Sequence, residues 1–288
     1  MVVQGKMKYI IMCGGSYEKW ETPRQLLEVN GEAIVARTIR LLRENGITDI
    51  AISTNNDAFK RFGVPLLKHD NDYYCVDYNN ADGYWCNCFY PMHEPVCYLC
   101  GDVFFSPEAI RTIIETETDS IMFFGSAPPF VAPYPKPYEE PFAFKVVDND
   151  LLTWSIKEVK RLHRAGAFHR EPIAWETWNV ISGGDPNRID YNSYVRINDY
   201  TCDIDSKKEL KLIERFAEYG GKDMAEKKST AKKTATRKTT RAKAKKAENP
   251  AMVTYRGNKY TLLDEVYGKC KLTDGTIHFW VRAEEVER

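Results

Sequence analysis

The chain has 288 residues, 43% of them apolar and 28% charged. These ordinary proportions exclude collagen-like, wholly disordered and disulfide-knotted chains, and they leave room for one large domain with something small attached. The 41 basic and 41 acidic residues balance formally, yet ten of the basic residues and no acidic one lie between Lys227 and Lys246, leaving 31 basic against 41 acidic elsewhere. An acidic body with a basic segment presents two separate fields to its partners. No apolar run approaches the ~20 residues of a membrane-spanning helix. The opening MVVQGKMKYIIM has neither the long apolar stretch nor the cleavage site of a secretory signal, so a cytoplasmic protein is expected. Eight cysteines (Cys13, Cys75, Cys86, Cys88, Cys97, Cys100, Cys202 and Cys270) fall mostly in apolar, strand-like contexts, which suits reduced thiols.

Lys8 to Cys13 is a continuous apolar run of strand length. Ile34, Val35, Ile39 and Leu42 recur at helical spacing over Ala33 to Asn45, with Gly46 as a stop, and Asp49 to Thr54 reads as the next strand. Strand, helix, strand at this spacing is a βαβ unit with parallel strands. Val96 to Cys100 is a further strand, and Ser106-Pro107 starts a helix carrying Ile110, Ile113 and Ile114 to about Glu117. Ser120 to Phe124 is again a strand. Ala127 to Pro141 holds six prolines in fifteen residues and reads as an irregular loop. Phe142 to Val147 (strand), Leu151 to Arg164 (helix), Tyr194 to Ile197 (strand) and Ser206 to Tyr219 (helix) complete a Rossmann-like, three-layer α/β/α domain with a mostly parallel sheet, over residues 1–220. Residues 221–250 lose all large apolar side chains after Met224 and read as a disordered basic linker. Residues 251–288 return to strand-like alternation with turn pairs at Gly257-Asn258 and Asp274-Gly275, predicting a small all-β, barrel-like module of three or four strands.

Ligands of an open parallel sheet bind beyond the carboxyl ends of its strands. Two segments fall there. Met12-Cys13-Gly14-Gly15-Ser16 follows the first strand, where glycines let backbone N–H groups approach a phosphate, although a plain turn has the same appearance. Leu99-Cys100-Gly101-Asp102 delivers a carboxylate to the same edge, and Asp203-Ile204-Asp205 brings two more before the last helix of the domain. Carboxylates from separate loops suit Mg²⁺, which takes oxygen ligands and is usually held by one or two carboxylates plus substrate phosphates. Lys19 and Arg24 supply positive charge in the loop after Gly15.

These segments together resemble the sugar-1-phosphate and related small-molecule nucleotidyltransferases. The family's opening strand, Gly-rich loop with a basic residue and Pro-Lys-x-Leu signature resemble the stretch that carries Gly14, Gly15, Lys19, Pro23, Arg24, Leu26 and Gly31. Cys100-Gly101-Asp102-Val103-Phe104 resembles the Gly-Asp segment that carries the first metal ligand, and Asp203 to Leu210 resembles the segment carrying the second, which falls on Asp205. The likeness spans residues 7 to 220. It implies a nucleotide held by Met12, Cys13, Gly14, Gly15, Ser16 and Gly83, catalytic roles for Lys19 and Arg24, Mg²⁺ on Asp102, Asp205 and Asp203, and a substrate phosphate on Lys136. The loop is shorter than the family's, Tyr17 stands where a second glycine is usual, and Arg24 replaces the signature lysine.

The function expected is Mg²⁺-dependent transfer of a nucleoside monophosphate from an NTP to a phosphorylated small molecule, with release of pyrophosphate. Two alternatives are an inactive nucleotidyltransferase-like binding protein tethered to nucleic acid or an assembly, and a glycosyltransferase using Asp203-Ile204-Asp205. Residues 227–246 read as a solvated spacer or, more sharply, as a weak nucleic-acid contact. Cys86, Cys88, Cys97 and Cys100 have poor chelate spacing and read as core, and Trp154, Trp175 and Trp178 read as packing, with Trp175 and Trp178 the two that could instead line a substrate pocket.

Overall fold

The computed structural model describes residues 7–14, 22–68, 84–127, 138–216 and the strand segments 252–255, 258–266, 269–273, 278–282 and 286–287. Gly15, Ser16, Lys19, Gly83, Lys136, most of the proline-rich loop and the basic stretch 227–246 lie outside them. The chain divides into two compact units, Met1–Gly221 and Lys222–Arg288.

In the first unit the described elements run β1 (Lys8–Met12), β2 (Glu28–Val29), β3 (Glu32–Ala33), α1 (Ile34–Glu44), β4 (Ile50–Ser53), β5 (Leu66–Leu67), β6 (Val96–Cys100), β7 (Val103–Phe104), α2 (Pro107–Glu115), β8 (Ile121–Gly125), β9 (Pro141–Val146), α3 (Asn149–Arg164), α4 (Ala174–Ile181), β10 (Val195–Arg196), β11 (Cys202–Asp203) and α5 (207–216). Seven strands form one sheet in the order β10-β8-β9-β6-β1-β4-β5. β1 is central and parallel to both β4 and β6, while β9 alone runs antiparallel, between β6 and β8. The sheet is mostly parallel, as the βαβ spacing predicts.

Buried strands need side chains that lose nothing on leaving water, and every residue of β4 and β6 is buried. α1 turns Ile34, Val35, Thr38, Ile39, Leu41 and Leu42 inward and stops where Gly46 takes a positive φ of 79°. α2 starts on Ser106, whose Oγ accepts from the Ala109 N–H at 2.8 Å, with Pro107 in the first turn. Its far end is closed from the sheet: the buried Lys145 ammonium on β9 donates to the carbonyls of Ile114 (2.8 Å) and Thr116 (2.6 Å).

α4 was not legible in the sequence. Its AWETWNVI run is only eight residues long and buries the polar Glu176, Thr177 and Asn179 together with both tryptophans, so its burial does not follow an apolar–polar division visible in the sequence. Trp175 and Trp178 are both buried, their rings 4.9 and 5.6 Å from Phe123, so packing is their role. Trp154 departs from the same expectation: it stands 57% exposed on α3. Cys86, Cys88, Cys97 and Cys100 are buried core thiols. Among the described residues of the second unit five strands, β12 (Met252–Tyr255), β13 (Asn258–Val266), β14 (Lys269–Thr273), β15 (His278–Arg282) and β16 (Val286–Glu287), make an antiparallel sheet in the order β15-β14-β13-β12-β16. That is one strand more than expected. Val253, Leu272 and Val286 form its small core. Among the described residues no helix is long and apolar enough to cross a membrane.

Burial pushes the thiols of Cys13, Cys88 and Cys100 well above their ordinary range and that of Cys97 up to about 12. The native state therefore keeps protons that the unfolded chain releases near pH ~8.5, and stability falls as pH rises beyond that value. Each thiol that stays protonated in the native state while it ionises in the unfolded chain lowers stability by about 1.4 kcal/mol per pH unit. Circular dichroism should show cooperative unfolding of the first unit between about pH 9 and 12. A native spectrum persisting above that range would contradict the burial of these thiols.

Candidate active site

β1 and β6 are parallel neighbours in register, with Met12 opposite Cys100, so both strands end level with one another. The chain turns immediately after β6. The Gly101 N–H donates to the Met12 carbonyl at 3.0 Å. A Cβ at Gly101 would stand 2.5 Å from that carbonyl oxygen and 2.6 Å from Cys13 Sγ. Only glycine allows this approach, which sets Asp102 beside the start of the loop that follows β1.

Asp203 and Asp205 reach the same edge by a different route. The two-residue strands β7 and β11 pair antiparallel, Val103 opposite Asp203 and Phe104 opposite Cys202. Beneath them Val29, Ile34, Phe104, Cys202, Ile204 and Ile213 form a small separate core. Asp205 is held at the entry to α5: its N–H donates to the Glu209 carboxylate (2.7 Å), and the Glu209 N–H donates to Ser206 Oγ (3.2 Å). Short strands like these form only through tertiary pairing, so the sequence shows the carboxylates without showing what joins them.

Arg24 lies in a 3₁₀ turn, Arg24–Leu26, closed by the Leu26 N–H on the Pro23 carbonyl (2.9 Å). The next turn is the β2–β3 hairpin, where Asn30 and Gly31 take φ of 54° and 77°, the pair of positive values a tight hairpin demands. The Arg24 guanidinium joins the carboxylates: one terminal nitrogen pairs with Asp102 Oδ2 at 2.6 Å, while the other pairs with Asp205 and donates to the Ile204 carbonyl at 3.1 Å. The planar fork lets one side chain span carboxylates from two loops. The Arg24 and Asp102 side chains are 17% and 19% exposed, that of Asp205 43%. Burial alone lowers the Arg24 pKa, but Asp102, Asp205 and Asp203 outweigh it and the net shift is upward, so Arg24 stays charged.

Sequence reasoning missed Glu140. Its side chain is buried at the start of β9 and accepts the Asp203 N–H at 3.1 Å, while its own backbone exchanges hydrogen bonds with Ser126, N–H to Oγ and carbonyl to N–H, both at 2.9 Å. Glu140 thus ties the end of β8 to the segment carrying Asp203 and Asp205. Its position within a proline-rich run gave no signal of burial. Met12 and Cys13 are buried and Gly14 is partly so, at the carboxyl end of β1 beside this cluster.

Two carboxylates paired with one guanidinium, with Asp203 adding to the same field, thus stand beyond the carboxyl ends of a mostly parallel sheet, the edge at which such sheets bind ligands. Residues 9–145 match the family model of the MobA-like NTP transferase domain. The matched stretch lies within the first unit and is a little under half of the chain. No curated protein sequence matches the chain. Similar solved structures include 4-diphosphocytidyl-2C-methyl-D-erythritol synthase from Anaerococcus prevotii (13% identical, covering 74% of this chain and 98% of that one, TM-score 0.47). Also similar are the inositol-1-phosphate CTP transferase from T. maritima (15%, 76% and 98%, 0.42) and CTP:phosphocholine cytidylyltransferase from Streptococcus pneumoniae (14%, 74% and 99%, 0.40).

Gly101→Ala is expected to lower stability by about 1–3 kcal/mol, because the methyl group meets a backbone oxygen that cannot rotate away. Gly46→Ala, a control at a surface turn with open space around it, carries only the strain of its positive φ. Thermal melts of both variants test this; a Gly101→Ala protein as stable as the parent would rule out the close approach.

Proposed function

We propose that the first unit transfers a nucleoside monophosphate from an NTP to a phosphorylated small molecule with the help of Mg²⁺. The observation that carries this reading is the convergence of Asp102 and Asp205, from separate loops, on one cationic group at the strand ends. The donor set suits a hard divalent cation. Asp102 and Asp205 offer carboxylate oxygens at a point that already holds positive charge, and Asp203 adds to the same field. Among the described residues no cluster of three or more His, Cys, Asp or Glu forms a complete metal cage. Two carboxylates with substrate phosphates making up the remainder are the ordinary Mg²⁺ arrangement.

In the reaction an acceptor phosphate oxygen forms a bond to the α-phosphorus of the NTP. The bond from that phosphorus to the bridging oxygen breaks, and pyrophosphate leaves with the electron pair. Two anions must meet, so the barrier is largely electrostatic and positional. Mg²⁺, when bound, neutralises phosphate charge. Asp102 and Asp205 would hold it. Arg24 and Lys19 would place positive charge against the phosphates, the backbone from Met12 to Ser16 would line the nucleotide, with Gly83 close to its base, and Lys136 would meet the acceptor phosphate. Glu140 positions the Asp203 backbone.

Isothermal titration with each NTP in the presence of Mg²⁺, followed by a pyrophosphate-release assay over a panel of sugar phosphates and other phosphorylated alcohols, tests the reading. Asp102→Asn and Asp205→Asn should each lower turnover by about 100-fold or more while the melting curve stays cooperative. Asp203→Asn should cost less. Full turnover in both of the first two variants would remove the metal assignment.

A further inference from the structure

We propose that Arg24 is the resting counter-cation of the Asp102–Asp205 pair, so that a divalent metal enters this site only together with the nucleotide. The proposal rests on the nucleotidyltransferase reading above and concerns its order of binding. Arg24 touches Asp102 Oδ2 at 2.6 Å, pairs with Asp205, and is anchored a third time on the Ile204 carbonyl. A metal ligated by these carboxylates sits about 2.0–2.1 Å from their oxygens. That places it within a few ångströms of a guanidinium, where two like charges in a partly desolvated site repel strongly. The metal and the resting position of Arg24 therefore compete for the same two side chains.

A free metal ion has nothing to offer the displaced guanidinium. A metal–nucleotide complex does, because its phosphates accept the same planar fork that the carboxylates accept at rest. Arg24 with Asp102, Asp203 and Asp205 carries a nominal charge of −2, which disfavours a bare triphosphate as well. The arriving pair cancels both penalties: the metal replaces Arg24 on the carboxylates, and Arg24 moves onto phosphate. Lysine at this position would present a compact point charge without the planar fork that pairs each terminal nitrogen with a different carboxylate.

The test measures Mn²⁺ binding to the full chain by electron paramagnetic resonance, without nucleotide, for the parent, Arg24→Ala and Arg24→Lys. The expected result is weak binding by the parent, binding at least tenfold tighter by Arg24→Ala, and an intermediate gain for Arg24→Lys. Adding Asp205→Asn to Arg24→Ala should abolish the gain. Should Arg24→Ala fail to give a cooperative melt, Arg24→Lys carries the same comparison. Equal Mn²⁺ affinity in the parent and the folded variants would overturn the proposal. Equilibrium dialysis of the parent with Mn²⁺ and a non-hydrolysable NTP analogue separates the two levels: nucleotide bound, with Mn²⁺ affinities equal, defeats the binding order alone, whereas no nucleotide bound by any form defeats the nucleotidyltransferase reading with it.

Discussion

The site depends on a backbone contact before it depends on any charge. β1 and β6 run parallel and end level, and the turn after β6 lies directly on the last carbonyl of β1 because Gly101 has no Cβ to hold it away. Everything downstream inherits that registration. Asp102 is set beside the loop that leaves β1, β7 follows within two residues, and β7 then supplies the edge on which β11 pairs. Asp205, far away in the chain, reaches Asp102 only through this succession of short contacts. A shift of the turn by one residue would move Asp102 to the opposite face of its segment and dissolve the cluster.

Gathering like charges is unfavourable, so the cluster needs a cation at all times. Arg24 provides it within the chain, and its guanidinium answers the cost of desolvation by bonding two carboxylates and a carbonyl at once. The thiols around it, Cys13 and Cys100, are pushed toward the neutral form by burial and further by the Asp102 carboxylate. They add no negative charge. The floor of the site is thus apolar and uncharged, and the charged groups stand above it.

Much of this was legible in the sequence because of how parallel sheets bury themselves. β1, β4 and β6 are covered on both faces and appear as unbroken apolar runs, while α1 and α2 show a one-sided stripe and recognisable ends. The glycine and carboxylate segments were legible for a related reason, since each follows a strand or precedes a capped helix. What was not legible has no local signature. α4 is short and buries its polar residues, β7 and β11 are two residues long, and Glu140 is buried by elements distant in sequence. Arg24 is the instructive case: its charge and its place in the loop were plain, but its partners belong to two other loops, and only the folded chain brings those loops to it.

The presence of arginine rather than lysine at position 24 then acquires a physical meaning. A lysine ammonium is a compact, strongly hydrated charge that can attend one carboxylate or one phosphate and move between them at little cost. A guanidinium held by two carboxylates and a carbonyl is a fixed cross-link between three loops, Arg24 on one, Asp102 on another, Ile204 and Asp205 on the third. Such a cross-link orders the site before any ligand arrives, which lowers the entropy still to be lost on binding. It also requires that the ligand break these bonds. Under the proposed order of binding, preorganisation and gating come from the same contacts, and neither is altered by substitution at position 24 without altering the other.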